Sequence, residues 1–186
     1  MSTAAVVLAA GGGSRFEGPT PKLLAQFRGR RLVSWAVDAA LDAGLDETIV
    51  VSGAVDLSSV LPADITLLHN DAWASGLASS LQVALDWCGR RGHSAAVVGL
   101  GDQPLVHREA WRAVAASTGA PIAVATYAGR RRNPVKLERS VWALVPVSGD
   151  EGARVVMRSR PALVCEVACP GDPVDVDTVE DLRTWS

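Results

Sequence analysis

The chain has 186 residues, 48% of them hydrophobic and 20% charged, with a net charge of −2. That size and balance suit one domain with a sizeable core and exclude a disordered chain. They also argue against a general nucleic-acid binder, which would be basic. No apolar run approaches the roughly 20 residues that span a bilayer, and MSTAAVVLAAGGG has no basic region ahead of its apolar run. Neither a membrane segment nor a signal peptide is expected, and the expected location is cytoplasmic.

Ala4 to Leu8 reads as a buried strand that runs into the triple glycine Gly11-Gly12-Gly13. Arg31 to Ala43 carries apolar residues at helical spacing, with Gly44 placed to end the helix. Glu47 to Val51 reads as a second strand and Ile65 to Leu68 as a third. Leu77, Leu81, Ala84, Leu85 and Cys88 share one helix face, and Gly89 is the expected stop. Ala95 to Leu100 is nearly all apolar, as in the middle of a parallel sheet. A helix over Glu109 to Ala116 and a strand over Pro121 to Thr126 follow. Residues 151–158 read as helix, 163–167 as strand and 178–185 as a last short helix. The alternation predicts a single three-layer αβα domain with a mostly parallel, Rossmann-like sheet, whose ligands sit beyond the strands' C-terminal ends.

The three cysteines, Cys88, Cys165 and Cys169, read as reduced thiols, since their spacing suits no zinc site. His69, His93 and His107 do not cluster with other ligand types. Trp35, Trp87 and Trp111 sit in amphipathic helices and read as packing. No G-x-S-x-G elbow is present, so covalent catalysis is not suggested.

The glycine loop fails two tests. A P-loop needs Lys and Ser or Thr after its last glycine, but Pro19 and Thr20 follow Gly18. A dinucleotide fingerprint needs a third glycine where Phe16 stands. What remains is a loop whose backbone N–H groups face a triphosphate, with Arg15 as a planar fork and Lys22 as a point charge. A tight turn with two surface cations is the plainer alternative. Asp102 lies just past the fourth strand, where a carboxylate can hold Mg²⁺ together with phosphate oxygens. Asp175 and Asp177 alternate with Val174 and Val176, so both carboxylates can point one way. Asp177 also suits a helix N-cap with Glu180 in a capping box, which makes Asp175 the better second metal ligand.

LAAGGGSRF followed by PKLL resembles the signature L-x-x-G-x-x-x-R-(6)-K of nucleotidyltransferases that attach a nucleoside monophosphate to an acceptor phosphate. Further motifs follow in matching order: NDAWASGLASS from Asn70, GDQP from Gly101, RNPV from Arg132, SGDEGAR from Ser148 and DVDTVEDL from Asp175. Together they resemble the MobA-like group, and within it the molybdenum cofactor cytidylyltransferases. The family's motif has a proline where Val179 stands here.

The resemblance implies a fold of nucleotide-diphospho-sugar transferase type and Mg²⁺-dependent transfer of CMP from CTP to a molybdopterin-type acceptor. The cytidine preference rests on LAAG, which resembles the cytidylyltransferase form of the loop. The implied catalytic residues are Arg15, Lys22 and Asp102. Leu8, Ala9, Ala10, Gly11, Gly12, Gly13, Ser14, Gly53, Gly76, Ser79 and Ser80 would line the nucleotide. Asn70, Trp73, Gln103, Asn133, Pro134, Asp150 and Arg154 would face the acceptor, and Asp102 with Asp175 or Asp177 would hold the metal. The run Arg130–Arg132 reads as a solvated loop or a clamp for an anionic acceptor. A molybdoenzyme or its maturation factor is a possible partner; nucleic acid and membrane are not. The alternatives are a GTP- or sugar-phosphate-type transferase, a non-catalytic nucleotide-binding maturation factor, and a redox protein similar to nicotine-blue oxidoreductase.

Overall fold

The structure is a computed structural model that describes residues 2–186. Seven strands form one sheet, and a two-residue ladder of β2 (Gln26–Phe27) with β3 (Arg30–Arg31) stands apart from it. In spatial order the sheet runs β5 (Thr66–His69), β4 (Glu47–Ser52), β1 (Thr3–Ala9), β6 (Ala95–Leu100), β8 (Arg130–Glu138), β7 (Ile122–Tyr127) and β9 (Val164–Ala168). All neighbours are parallel except β8, which is antiparallel to both β6 and β7.

β1 is apolar at nearly every position because both of its faces are covered. Ala4, Val6 and Leu8 join the core on one side, where α2 (Leu77–Arg91) and α4 (Ala153–Ser159) pack. Ala5, Val7 and Ala9 join the core on the other, under α1 (Leu32–Asp42) and α3 (Arg108–Ala116). These are the three expected layers. A last helix, α5 (Val179–Trp185), docks beside Phe27 and Leu32 through Leu182 and Trp185. Trp111 of α3 is fully buried against Gly99 of β6, where a Cβ would lie 2.5 Å from the indole.

Three expectations are corrected. α2 runs through Gly89 and ends at Gly92, whose left-handed φ of 81° supplies the stop that Gly89 was expected to give. α5 is capped by Thr178, not Asp177: the Thr178 hydroxyl accepts the Asp181 N–H while the Asp181 carboxylate accepts the Thr178 N–H. Asp177 is thereby released for the site. β8 was not expected as a strand, because it opens with Arg130–Arg132 and contains Pro134, which cannot donate to a ladder. The register shifts between Val124 and Ala125, whose partners are Val135 and Arg132, so Asn133 and Pro134 form a bulge.

Candidate active site

β4, β1 and β6 are adjacent and parallel, so their C-terminal ends open on one side of the sheet. The loops that leave them are tied together. The Gly101 N–H donates to the Leu8 carbonyl and the Ala54 N–H to the Ala10 carbonyl. The C-terminal segment joins them when the Val176 N–H donates to the Asp102 carbonyl at 3.0 Å. Lys22 begins a single 3₁₀ turn whose next residue, Leu23, is buried in the core. Gly13, at φ +65°, lets the glycine loop fold over that turn. A Cβ there would stand 2.9 Å from Lys22 Cβ, and the backbone is in the region that favours glycine.

The result is a compact charge cluster. Lys22 Nζ lies 2.6 Å from Asp102 Oδ2 and 3.2 Å from Asp177 Oδ1. Arg15 reaches the other Asp177 oxygen at 3.0 Å from a side chain that is 72% exposed. Burial alone would lower the Lys22 pKa, but the Asp102 and Asp177 carboxylates outweigh it and raise the ammonium above the ordinary lysine value. Asp102 Oδ1 is buried and has no hydrogen-bond partner. Asp175 accepts from Gln103 Nε2 at 2.8 Å, and Gln103 Oε1 accepts from Asn133 Nδ2 at 3.2 Å.

Among the described residues no three His, Cys, Asp or Glu side chains form a ready-made metal cage. A hard divalent cation that binds with a triphosphate does not need one, since it takes one or two carboxylates and completes its shell with phosphate oxygens and water. The orphaned, inward-facing Asp102 Oδ1 fits that requirement, and the all-oxygen donor set suits such an ion.

A cleft of about 330 Å³ opens beside this cluster. It brings together Leu8, Ala10, Gly11, Gly12, Trp73, Gly76, Ser80, Asp102 and Asp150. A contiguous cavity of about 470 Å³ shares Leu8, Leu77 and Leu100 with it and is walled by Asn133 and Arg154.

Several predicted contacts lie elsewhere. Ala9 is buried in the core under α1. Gly53 is packed by Trp73 and the Ala10 carbonyl, and it borders neither cavity. Asn70 is 3% exposed and donates to both Ser79 and Ser80 at 2.9 Å, while the Ser79 hydroxyl also lies 2.8 Å from the Gly76 carbonyl. Asn70 and Ser79 therefore brace the loop from inside. Pro134 is buried in β8. Ser14 is exposed on the loop outside the cleft. Leu77, which borders both cavities, was read only as a core residue, because its spacing within α2 is that of a buried helix face.

Comparison with known proteins identifies the family. The MobA-like NTP transferase domain model matches residues 5–164, and the chain belongs to that family. Nicotine blue oxidoreductase from Paenarthrobacter nicotinovorans is 33% identical over 95% of this chain and 93% of its own length. The crystal structure of Rv0371c from Mycobacterium tuberculosis H37Rv superposes with a TM-score of 0.84 at 31% identity, covering 98% of this chain and 96% of that one. A manganese complex of the same mycobacterial protein gives a TM-score of 0.82 at 30% identity over 100% of this chain and 98% of that one. The fold is that of the nucleotide-diphospho-sugar transferases, and membership in the family supports nucleotidyltransferase activity.

Proposed function

We propose that the protein transfers CMP from CTP to the phosphate of a molybdopterin-type acceptor, with release of pyrophosphate. The observation that carries the transferase reading is Lys22 held between Asp102 and Asp177 beneath the glycine loop, with Asp102 Oδ1 free. The choice of CTP and of the acceptor rests on the motif resemblance, the LAAG loop above all.

In this reading the backbone N–H groups of Gly11 to Gly13 and the exposed guanidinium of Arg15 bind the β and γ phosphates. Lys22 turns from its carboxylates to the α-phosphate and neutralises the charge that develops there. Mg²⁺ held by Asp102 with Asp175 or Asp177 would supply further charge neutralisation. An oxygen of the acceptor phosphate attacks the α-phosphorus, the bond to the β-phosphate oxygen breaks, and pyrophosphate leaves with the electron pair. The chain contributes position and charge rather than a covalent intermediate. Pyrophosphate release tests this, measured with CTP, GTP, ATP and UTP in the presence of Mg²⁺ and molybdenum cofactor. Release with CTP is expected. Release with none of the four would favour a nucleotide-binding maturation factor.

A second reading is favoured by one observation, the 33% identity to an oxidoreductase along almost the whole chain. It predicts turnover of nicotine blue without pyrophosphate release, and a yellow colour of the purified protein would support it.

A further inference from the structure

The cavity of about 470 Å³ has an apolar floor and a cationic mouth. Leu81, Val98, Val135, Leu137 and Met157 form the floor, and all five are buried in the core between α2, α4 and the sheet. Arg131, Arg132, Arg154 and Arg158 surround the opening. Arg131 is paired with Glu166 at 2.7 Å and Arg158 with Glu151 at 2.6 Å. Arg132 donates to the neighbouring Arg131 carbonyl, and among the described residues neither it nor Arg154 has a carboxylate within ion-pair distance.

We propose that this cavity takes the second substrate, and that the substrate is an amphipathic anion: a carbon-rich ring body carrying a phosphate. The inference rests on the proposed reaction only in giving the cavity to the second substrate; the ligand class comes from the lining. Apolar surface gains by leaving water for such a floor. A ring edge bearing several amide and amine groups would leave them unpaired there, which is costly. Among the floor and wall residues, Asn133 is the one side-chain amide; one of its two N–H groups donates to Gln103, which leaves a single N–H and the carbonyl oxygen, too few for such an edge. The two unpaired guanidiniums then hold the anion at the mouth. From there the shared wall of Leu8 and Leu100 leads toward Asp102. A molybdopterin-type acceptor would have to keep its pterin edge outside the floor.

The test is calorimetric titration of the full chain, without nucleotide, using 1-naphthyl phosphate, a pterin monophosphate and inorganic phosphate. Naphthyl phosphate is expected to bind about tenfold or more tighter than either of the others, from its buried ring area. Arg154→Ala, at an exposed position that leaves the fold intact, is expected to weaken it about tenfold by removing a charge-assisted contact. Ala153→Trp, which fills the cavity, is expected to abolish binding. Equal or tighter binding of inorganic phosphate or the pterin, or unchanged naphthyl phosphate binding in both variants, overturns the inference. Pyrophosphate release is followed separately. If release persists while naphthyl phosphate fails to bind, the ligand class falls and the reaction stands. If naphthyl phosphate binds and nothing releases pyrophosphate, the reaction falls and the ligand class stands.

Discussion

Lys22 and Asp102, 80 residues apart in sequence, meet at 2.6 Å at the C-terminal mouth of the sheet. The contact joins the turn after β1 to the turn after β6, two adjacent parallel strands. Asp177, 155 residues from Lys22, closes the group from the C-terminal segment. Each carboxylate of the cluster is thus already neutralised by a cation that a triphosphate would also attract. Nucleotide binding therefore exchanges one set of partners for another, and the two predictions that follow turn on that exchange.

Lys22→Ala removes the cation nearest the proposed α-phosphate. Turnover is expected to fall by roughly 10²–10³-fold, the cost of losing one preorganised stabiliser of transition-state charge. The circular dichroism spectrum should match that of the parent, because Leu23 still anchors the turn in the core. Pyrophosphate release at saturating nucleotide is the measurement, and near-parent turnover would remove Lys22 from the mechanism.

Chelation separates fold from activity. Among the described residues no three metal-ligating side chains come together, so treatment with EDTA should leave the thermal unfolding midpoint of the free protein unchanged and stop turnover. Mg²⁺ or Mn²⁺ should restore it. Asp102→Asn keeps the side-chain shape and removes the charge on the orphaned oxygen, so it is expected to resist rescue by either ion.

Much of this site was legible in the chain because its motifs fall where alternating strands end. LAAGGGSR after β1 and GDQP after β6 are at the mouth by topology alone. What could not be read were the choices between local and distant partners. Asp177 has the sequence of an N-cap, yet Thr178 takes that role because Asp181 completes its capping box. Ser79 looks like a ligand contact at a helix start, yet a buried asparagine nine residues back donates to its hydroxyl and draws it inward, while Ser80, bonded to the same asparagine, still borders the cleft. β8 was hidden because three arginines and a proline carry no strand signal. It is defined by two neighbours that pair with it from either side.

Thr178→Ala tests the corrected cap. Loss of its side-chain bond to the Asp181 N–H is expected to destabilise the protein by about 1 kcal/mol. Hydrogen exchange should quicken in α5, and Asp177, the preceding residue, should lose some of its hold on Arg15. Denaturant titration and amide exchange of the two proteins provide the comparison.

Gly99→Ala tests the close approach of β6 to α3. The added methyl would stand 2.5 Å from the Trp111 ring, which is 1% exposed and has no room to withdraw. A loss of about 1–3 kcal/mol is expected from overpacking. A second substitution, Trp111→Phe, should recover part of it by vacating the ring atoms concerned.

Glu47 is held by several donors at the opposite end of the sheet. Its carboxylate accepts from His93 Nε2 at 2.7 Å, Thr66 Oγ1 at 2.7 Å and Trp87 Nε1 at 3.0 Å. Burial alone would raise its pKa, but these hydrogen bonds, with Arg91 nearby, carry it from an ordinary 4.5 down to about 2. A folded pKa below the unfolded one stabilises the protein above the unfolded value, and that contribution is lost as pH falls from about 4.5 to about 2. The loss attributable to this group is about 3 kcal/mol at full protonation. Glu47→Gln should be less stable than the parent near neutral pH. Its stability should also fall less steeply over that acid interval, as read from urea midpoints measured at successive pH values. Parallel acid profiles for the two proteins would show that Glu47 does not govern the acid transition.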